Sequence, residues 1–449
     1  MKTQLTLSRF SRKASILVAA LAVTGLAATA LPAQAADPGV TDSEIVLGMQ
    51  LPQTGAASPG YNKVDDAMRA YFDYVNAKGG VNGRSIRLEV KDDAYSAGRT
   101  ISTASSLIND SKVFAMIGSV GTQTHSAVIK DLNRRGIPDL FVNSGNSGFY
   151  TDPKKYPTTF AGLGTYVVEA KILGKYIKEN FPDKKVGILY QTDDFGKNAV
   201  TGFGYAGLVF ERGKTAATFV AGTQGSLGLT SQVKQLQDAG VQVVIIAAVA
   251  SATAIAVAAA KGLGYAPDKW VVISVGADST TFQTILASKK VPLALSASWL
   301  TGVITASHAP AAGDATDEYV AAFKKINTDY NKGADKTWDN NVLQGMNIAY
   351  QFVQAAQGVG PDLTRKALIN WLETKGSTLS SAAFAPVGYS KTSHEAYTGF
   401  WIGAYDATTV LKPVGASRVV YTTDSAKGAV TVSTYKRPAI AADALPKAK

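Results

Sequence analysis

From Ile45 onward, short apolar runs of strand length alternate with longer stretches whose apolar positions recur every three to four residues. Ile45–Gln50 is the first run, and Leu51-Pro52-Gln53-Thr54-Gly55 closes it as a turn. A helix is predicted over Val64–Ala77, with Ala67, Ala70, Tyr71, Tyr74 and Val75 on one face. The glycine-rich turn 78–84 leads to the alternating strand Ser85–Val90, which stops at Asp92-Asp93. A helix near Thr100–Asn109 precedes the strand Val113–Ile117. Next come the polar turn Gly118–Thr124, a helix over Thr122–Asn133, the strand Pro138–Val142 and a second polar turn, 143–147.

The alternation restarts at Tyr166. Helices are predicted over 166–180, 195–210, 230–239, 251–262 and 280–287. Strands are predicted over 185–190, 216–220, 241–247 and 270–275. Strands alternating with helices of this length predict parallel sheets covered by helices on both faces. Two such series predict two similar α/β lobes. The remainder is less regular: a strand at Leu293–Trp299, helices over 314–330, 340–357 and 363–371, and an aromatic strand at Tyr397–Tyr405. Two further strands about a Lys-Gly turn follow Pro413, and the tail beyond them carries no functional signal.

Length and composition fit this picture. A chain of 449 residues, 46% apolar and 18% charged, is globular and large enough for two domains. It has no cysteine, which excludes disulfides, thiolate metal sites and cysteine nucleophiles. Residues 1–35 read as a secretory signal: Lys2, Arg9, Arg12 and Lys13, an apolar centre over 16–23, and Ala33-Gln34-Ala35 before the cut. A soluble, exported, periplasmic protein without a lipid anchor is expected. Formal charge is +11, and removing the signal's four basic residues leaves +7. Those charges are scattered, so no nucleic-acid partner is expected.

Few residues carry catalytic chemistry. Asp92-Asp93 and Asp193-Asp194 sit at strand ends, where capping and turn hydrogen bonds are their expected roles. His125, His308 and His394 lack metal-ligand spacing and are expected at the surface or in caps. Gly202–Gly207 fits GxGxxG but lies within a predicted helix, which excludes a dinucleotide turn. Gly145–Gly148 lacks the spacing of a nucleophile elbow. No cofactor, metal or catalytic residue is expected. In an open parallel sheet, ligands bind at the carboxyl ends of strands, where both polar turns lie. The helix starting at Thr122 adds free N–H groups that favour an anion.

The stretches TDSEIVLGMQLPQTG (41–55), YVNAKGGVNGRSIRLEVKDDAYSAGRT (74–100), 113–147 and ILYQTDDFGKNAVTG (188–202) carry a recognisable pattern. In them the chain resembles the type I extracytoplasmic solute-binding proteins of ABC importers, of the leucine/isoleucine/valine-binding family. The resemblance runs from about Thr41 to Tyr405. It implies two Rossmann-like lobes with parallel sheets and a three-segment hinge, closing on a small solute. A membrane permease is the implied partner, and a monomer is expected. Lobe I is placed at 41–162 and 293–382, lobe II at 163–292 and 383–412, and a C-terminal extension at 413–449. The crossovers fall near 161–165, 293–299 and 383–389.

The same resemblance assigns ligand contacts. The first polar turn, here Gly121, Thr122 and Gln123, would hold a ligand carboxylate. The second would contribute Ser144, Gly145 and Ser147. Tyr61 matches an aromatic of the first strand–helix loop. Phe195 stands where the second lobe usually offers a tyrosine, and Ser251 and Gly276 complete that side. One departure matters: the acid that holds a ligand ammonium falls among Ser274, Val275 and Gly276, none acidic, with Asp278 the nearest carboxyl. An unpaired buried ammonium costs several kcal/mol. A carboxylate without an ammonium, or an amide-like solute, therefore gains ground over an α-amino acid. A sensor module of the same fold and an exported α/β hydrolase are the competing readings.

Overall fold

The computed structural model describes residues 37–446, so the predicted export signal lies outside the described residues. The first half of the chain runs β1 (Glu44–Leu51), α1 (Ser58–Tyr61), α2 (Val64–Ala77), β2 (Ser85–Asp92), α3 (Ala97–Asn109), β3 (Ala115–Ile117), α4 (Thr122–Ser126), α5 (Ile129–Arg134), β4 (Asp139–Val142) and β5 (Thr159–Ala161). These five strands form one parallel sheet in the order β2-β1-β3-β4-β5. The order reverses between β1 and β3, which opens a crevice at their carboxyl ends. The helix predicted over 122–133 breaks at Ala127-Val128 into α4 and α5. Only a five-residue helix therefore starts at Thr122, and its dipole is that of little more than one turn.

The chain then crosses at 161–165 into α6 (Tyr166–Asn180), β6 (Val186–Gln191), α7 (Asp194–Tyr205), β7 (Ala216–Phe219), α8 (Gln224–Leu227), α9 (Thr230–Asp238), β8 (Val243–Ala247), α10 (Ala250–Gly262), β9 (Lys269–Val272) and α11 (Ser279–Ser288). Strands β7-β6-β8-β9 are parallel, and the order reverses between β6 and β8. The GxGxxG glycines begin inside α7, where Gly202 lets the helix backbone close on Val167 of α6.

Two expected boundaries are corrected. Leu293–Trp299 is not a strand but part of α12 (Leu293–Leu300), which Pro292 initiates. A short apolar run cannot be assigned by periodicity, and Leu, Ala and Ser there favour helix. The next strand, β10 (Ile304–Ser307), pairs in parallel with β9 and so extends the second sheet. The second crossover therefore lies after Ser307, not at 293–299. The chain returns to the first lobe as α13 (Glu318–Tyr330), α14 (Asn340–Val359) and α15 (Arg365–Lys375), whose buried faces join the core of α2. Tyr71 meets Phe323 and Tyr350 edge-on, at 5.9 Å each.

The third crossover moves too. Residues 383–389 remain in the first lobe, because Tyr389 packs on Phe160 and His394 stacks on the same ring at 3.9 Å. The chain passes over only at 397–399, into β11 (Gly399–Tyr405), antiparallel to β10. β12 (Leu411–Pro413) and β13 (Val420–Thr422) both pair with β11, and β14 (Thr431–Val432) pairs with β13. The expected pair of strands after Pro413 is thus present, but it belongs to the second sheet rather than to a separate extension. Beyond it the tail recrosses to the first lobe. Arg437 pairs with Asp317 at 2.7 Å, and the Tyr71 hydroxyl donates to the Ala444 carbonyl at 2.8 Å.

The three crossovers are tied together. Gln344 Nε2 donates to the Gly162 carbonyl at 2.6 Å, the Phe384 amide donates to the His308 carbonyl at 2.7 Å, and the His308 ring stacks on Tyr397 at 4.7 Å. The histidines correct another expectation: all three are buried. His125 pairs with Asp139 at 2.9 Å beneath α4, where Asp139 also accepts from Thr159.

Candidate ligand-binding cleft

The two switch points face each other, so groups at the ends of β1 and β3 meet groups at the ends of β6 and β8. A narrow void separates them, with room for about one water. The first lobe lines it with Tyr61, Tyr95, Gly121, Thr122 and Asn143; the second with Tyr166, Phe195, Val249 and Val275. Tyr61, Tyr166 and Phe195 are all buried. Tyr166 and Phe195 stack at 4.1 Å.

Local chemistry fixes these rings. Asp93 accepts from the Tyr95 amide and the Thr100 hydroxyl, each at 2.9 Å. These bonds hold Ala94 and Tyr95 at φ of 50° and 58°, the left-handed region, and deliver the Tyr95 ring to the cleft. Gly121 yields to that ring: a Cβ there would lie 2.8 Å from it and 2.4 Å from Thr124 Oγ1. Asp193 caps α7 at Gly196 and accepts from Gln191 Nε2 at 3.2 Å. Gln191 Oε1 in turn accepts from the Val249 amide at 2.9 Å, which joins the ends of β6 and β8. Asp92, Asp93 and Asp193 thus have the turn and capping roles expected of them, Asp92 bonding Thr54 and Ala94, whereas Asp194 pairs with Lys197 at 3.0 Å.

The structure brings some predicted residues together and separates others. Tyr61, Gly121, Thr122 and Phe195 line the void. Ser144 lies behind Thr122, the hydroxyls 2.7 Å apart. Gly145 lies against the Tyr166 ring, which a Cβ would approach to 2.7 Å. Gln123 is exposed and does not line the void. Ser147 and Ser251 instead join the lobes: Ser147 bonds Asn198 of α7, and the Ser251 hydroxyl donates to the Ala56 carbonyl at 2.8 Å. Gly276 is packed on the Ala248 carbonyl. Tyr95, Asn143, Tyr166 and Val249 escaped the sequence reading. DDAY held the signal for Tyr95, but nothing local marks Tyr166, the first residue of α6.

A larger cavity continues toward the hinge, sharing Tyr61, Asn143 and Val275 with the void. Ser274, Asn340, Asn341, Gln344 and His308 line it. Burial pushes His308 down to about 4 and keeps its imidazole neutral. At its edge stand Asp278, whose Oδ1 caps α11 at Thr281 (2.7 Å), and Asp339, 2.8 Å from Lys63. Burial, with Asp278 nearby, raises Asp339 to about 7. Asp278 Oδ2 is buried without a hydrogen-bond partner among the described residues. Among those residues no group of acids and histidines is arranged to hold a metal, and no helix is long and apolar enough to cross a membrane.

Two α/β lobes whose switch points face each other are the architecture of a solute-binding protein. Residues 44–409 match the family model described as periplasmic binding protein, and the chain belongs to that family. It is similar to a Leu/Ile/Val-binding protein homolog 3 of Brucella melitensis, 25% identical over 45% of this chain and 54% of that one. A leucine-, isoleucine-, valine-, threonine-, and alanine-binding protein of Pseudomonas aeruginosa is 24% identical over 52% of this chain and 59% of its own. The chain thus matches a little over half the length of these relatives. Two solved structures share the fold. A fatty acid ABC transporter substrate-binding protein from Thermomonospora curvata has a TM-score of 0.73 at 22% identity, covering 90% of this chain and 97% of that one. A branched chain amino acid ABC transporter from Thermus thermophilus with bound valine has a TM-score of 0.71 at 17%, covering 86% and 98%.

Proposed function

We propose that this protein captures a small solute between its lobes and delivers it to an ABC permease, with no chemical step. The carrying observation is that the void takes its lining from both lobes, Tyr61 and Thr122 on one side and Tyr166 and Phe195 on the other. Such a site exists only when the lobes close, so binding energy is coupled to hinge bending. The interlobe bonds of Ser147 and Ser251 support a closed state that a permease can distinguish from an open one. Amino-acid and fatty-acid binding among the relatives supports the transport role and leaves the solute open.

A thermal-shift screen of the purified chain against amino acids, aliphatic and aromatic acids and amides tests this. A ligand at about a hundredfold over its Kd stabilises by about 2.7 kcal/mol. Small-angle scattering should show compaction with the same compound. If no compound raises the Tm and no small molecule is released on denaturing the protein, solute capture is wrong.

A further inference from the structure

Tyr166 is held over the second polar turn from three directions. Its ring stacks on Phe195, its amide donates to the Gly145 carbonyl at 2.8 Å, and Gly145 has no Cβ to hold it off. Thr122 lines the same void as Tyr166, with the Ser144 hydroxyl 2.7 Å behind that of Thr122, and burial pushes the phenol up to about 12. Gly145, Thr122 and Ser144 are among the residues the family resemblance assigns to a ligand carboxylate. Here the Tyr166 ring stands against Gly145 and shares the void with Thr122.

The charges around the cleft have the same sense. No lysine or arginine lines the void or the hinge-side cavity. Lys63, the nearby buried cation, is engaged by Asp339. Asp193 and Asp278 are buried or half-buried close by, and His308 is neutral. A carboxylate closed into this space would lose its hydration without gaining a countercharge, which is strongly unfavourable. The room that remains lies toward the hinge, among the side chains of Asn143, Asn340, Asn341 and Gln344.

Resting on the solute-capture reading, we propose that Tyr166 sets the solute class: its phenol fills the anion seat, so the cleft takes a solute without a carboxylate, seated toward the hinge with N–H groups directed at carboxamide and carboxyl oxygens. Removing the phenol reopens the seat.

The test compares wild type with Tyr166→Gly, using isovaleramide, isopentylamine and isovalerate on one skeleton, phenylacetamide and phenylacetate on another, and leucine. Thermal shift and calorimetry give the affinities, and mass spectrometry identifies any solute released on denaturation. In wild type the amide or amine should bind at least about tenfold tighter than the matched acid, and any released solute should lack a carboxylate. In Tyr166→Gly that ratio should collapse as the acid gains. If the glycine variant does not fold, Tyr166→Phe, which removes only the hydroxyl, should narrow the ratio in the same direction. A wild-type chain that prefers the acids or leucine, or releases an anion, overturns the role of Tyr166 and leaves solute capture standing. Binding of nothing, with nothing released, overturns both.

Discussion

The Ser147 amide and hydroxyl both donate to Asn198 Oδ1, at 3.0 and 2.7 Å, and so clasp the two lobes across the mouth of the cleft. Ser147 sits in the turn after β4 and Asn198 on α7, one on each lobe. Asn198→Ala removes the acceptor from both donors. At about 1 kcal/mol for each of the two bonds, the closed form should lose enough to weaken solute binding roughly thirtyfold. The Tm of the ligand-free protein should change much less. Affinity unchanged by calorimetry would show that the clasp does not contribute to closure.

Thr122 and Ser144 share a buried hydroxyl pair at 2.7 Å, the side-chain contact between the two polar turns, beside the backbone bonds of Asn143 with Ser119 and Gly121. Thr122→Ala leaves Ser144 without that partner and is expected to destabilise by about 1–2 kcal/mol. Thr122→Ser, which keeps the hydroxyl, should recover most of it. Equal Tm loss in both variants would assign the effect to the lost methyl group.

Stability should depend on pH through Glu169. Burial raises it to about 8 from 4.5, against the hydrogen bonds donated by the Ser274 amide at 2.6 Å and its hydroxyl at 2.9 Å. A raised group binds its proton more tightly in the folded chain. Its contribution is therefore complete below the unfolded pKa and is lost as pH rises through the folded one. His308, lowered to about 4 from 6.5, acts oppositely: its contribution is complete above 6.5 and is lost as pH falls through 4. Tm should accordingly rise as pH drops from about 8.5 to about 6.5. Glu169→Gln should flatten that rise. An identical pH slope in wild type and variant would exclude Glu169 as its source.

The tail beyond β14 recrosses to the first lobe, where Arg437 pairs with Asp317 and lies over the rings of Tyr319 (4.7 Å) and Phe384 (4.6 Å). Deleting the chain from Tyr435 onward exposes those rings and strands Asp317, which is itself buried. A loss of about 2–4 kcal/mol is expected, seen as a fall of several degrees in Tm. Arg437→Met, which keeps the packing but not the charge, should cost less. A truncated chain as stable as the whole would show that the strap adds nothing.

The repeating βα pattern was legible because inner strands such as β1, β3, β4 and β8 are nearly unbroken apolar runs buried on both faces. Its turn chemistry was legible too: Asp92, Asp93 and Asp193 bond amides within a few residues of themselves. The boundaries in the second half were not. LALSASWL over 293–300 has the composition of a helix and the length of a strand, and only the pairing of β10 with β9 settles which lobe it joins. The burial of His394 likewise depends on Phe160, over two hundred residues away.

By itself, then, the sequence determined two α/β lobes, their order along the chain and the turns that end at the cleft, because periodicity and turn formation act over a handful of residues. Which groups meet across the cleft was decided only by the tertiary structure. Tyr166 over Gly145, Ser147 against Asn198 and the tail against Asp317 join segments far apart in sequence or on opposite lobes. No local pattern encodes such a contact; it exists because packing brings two switch points face to face.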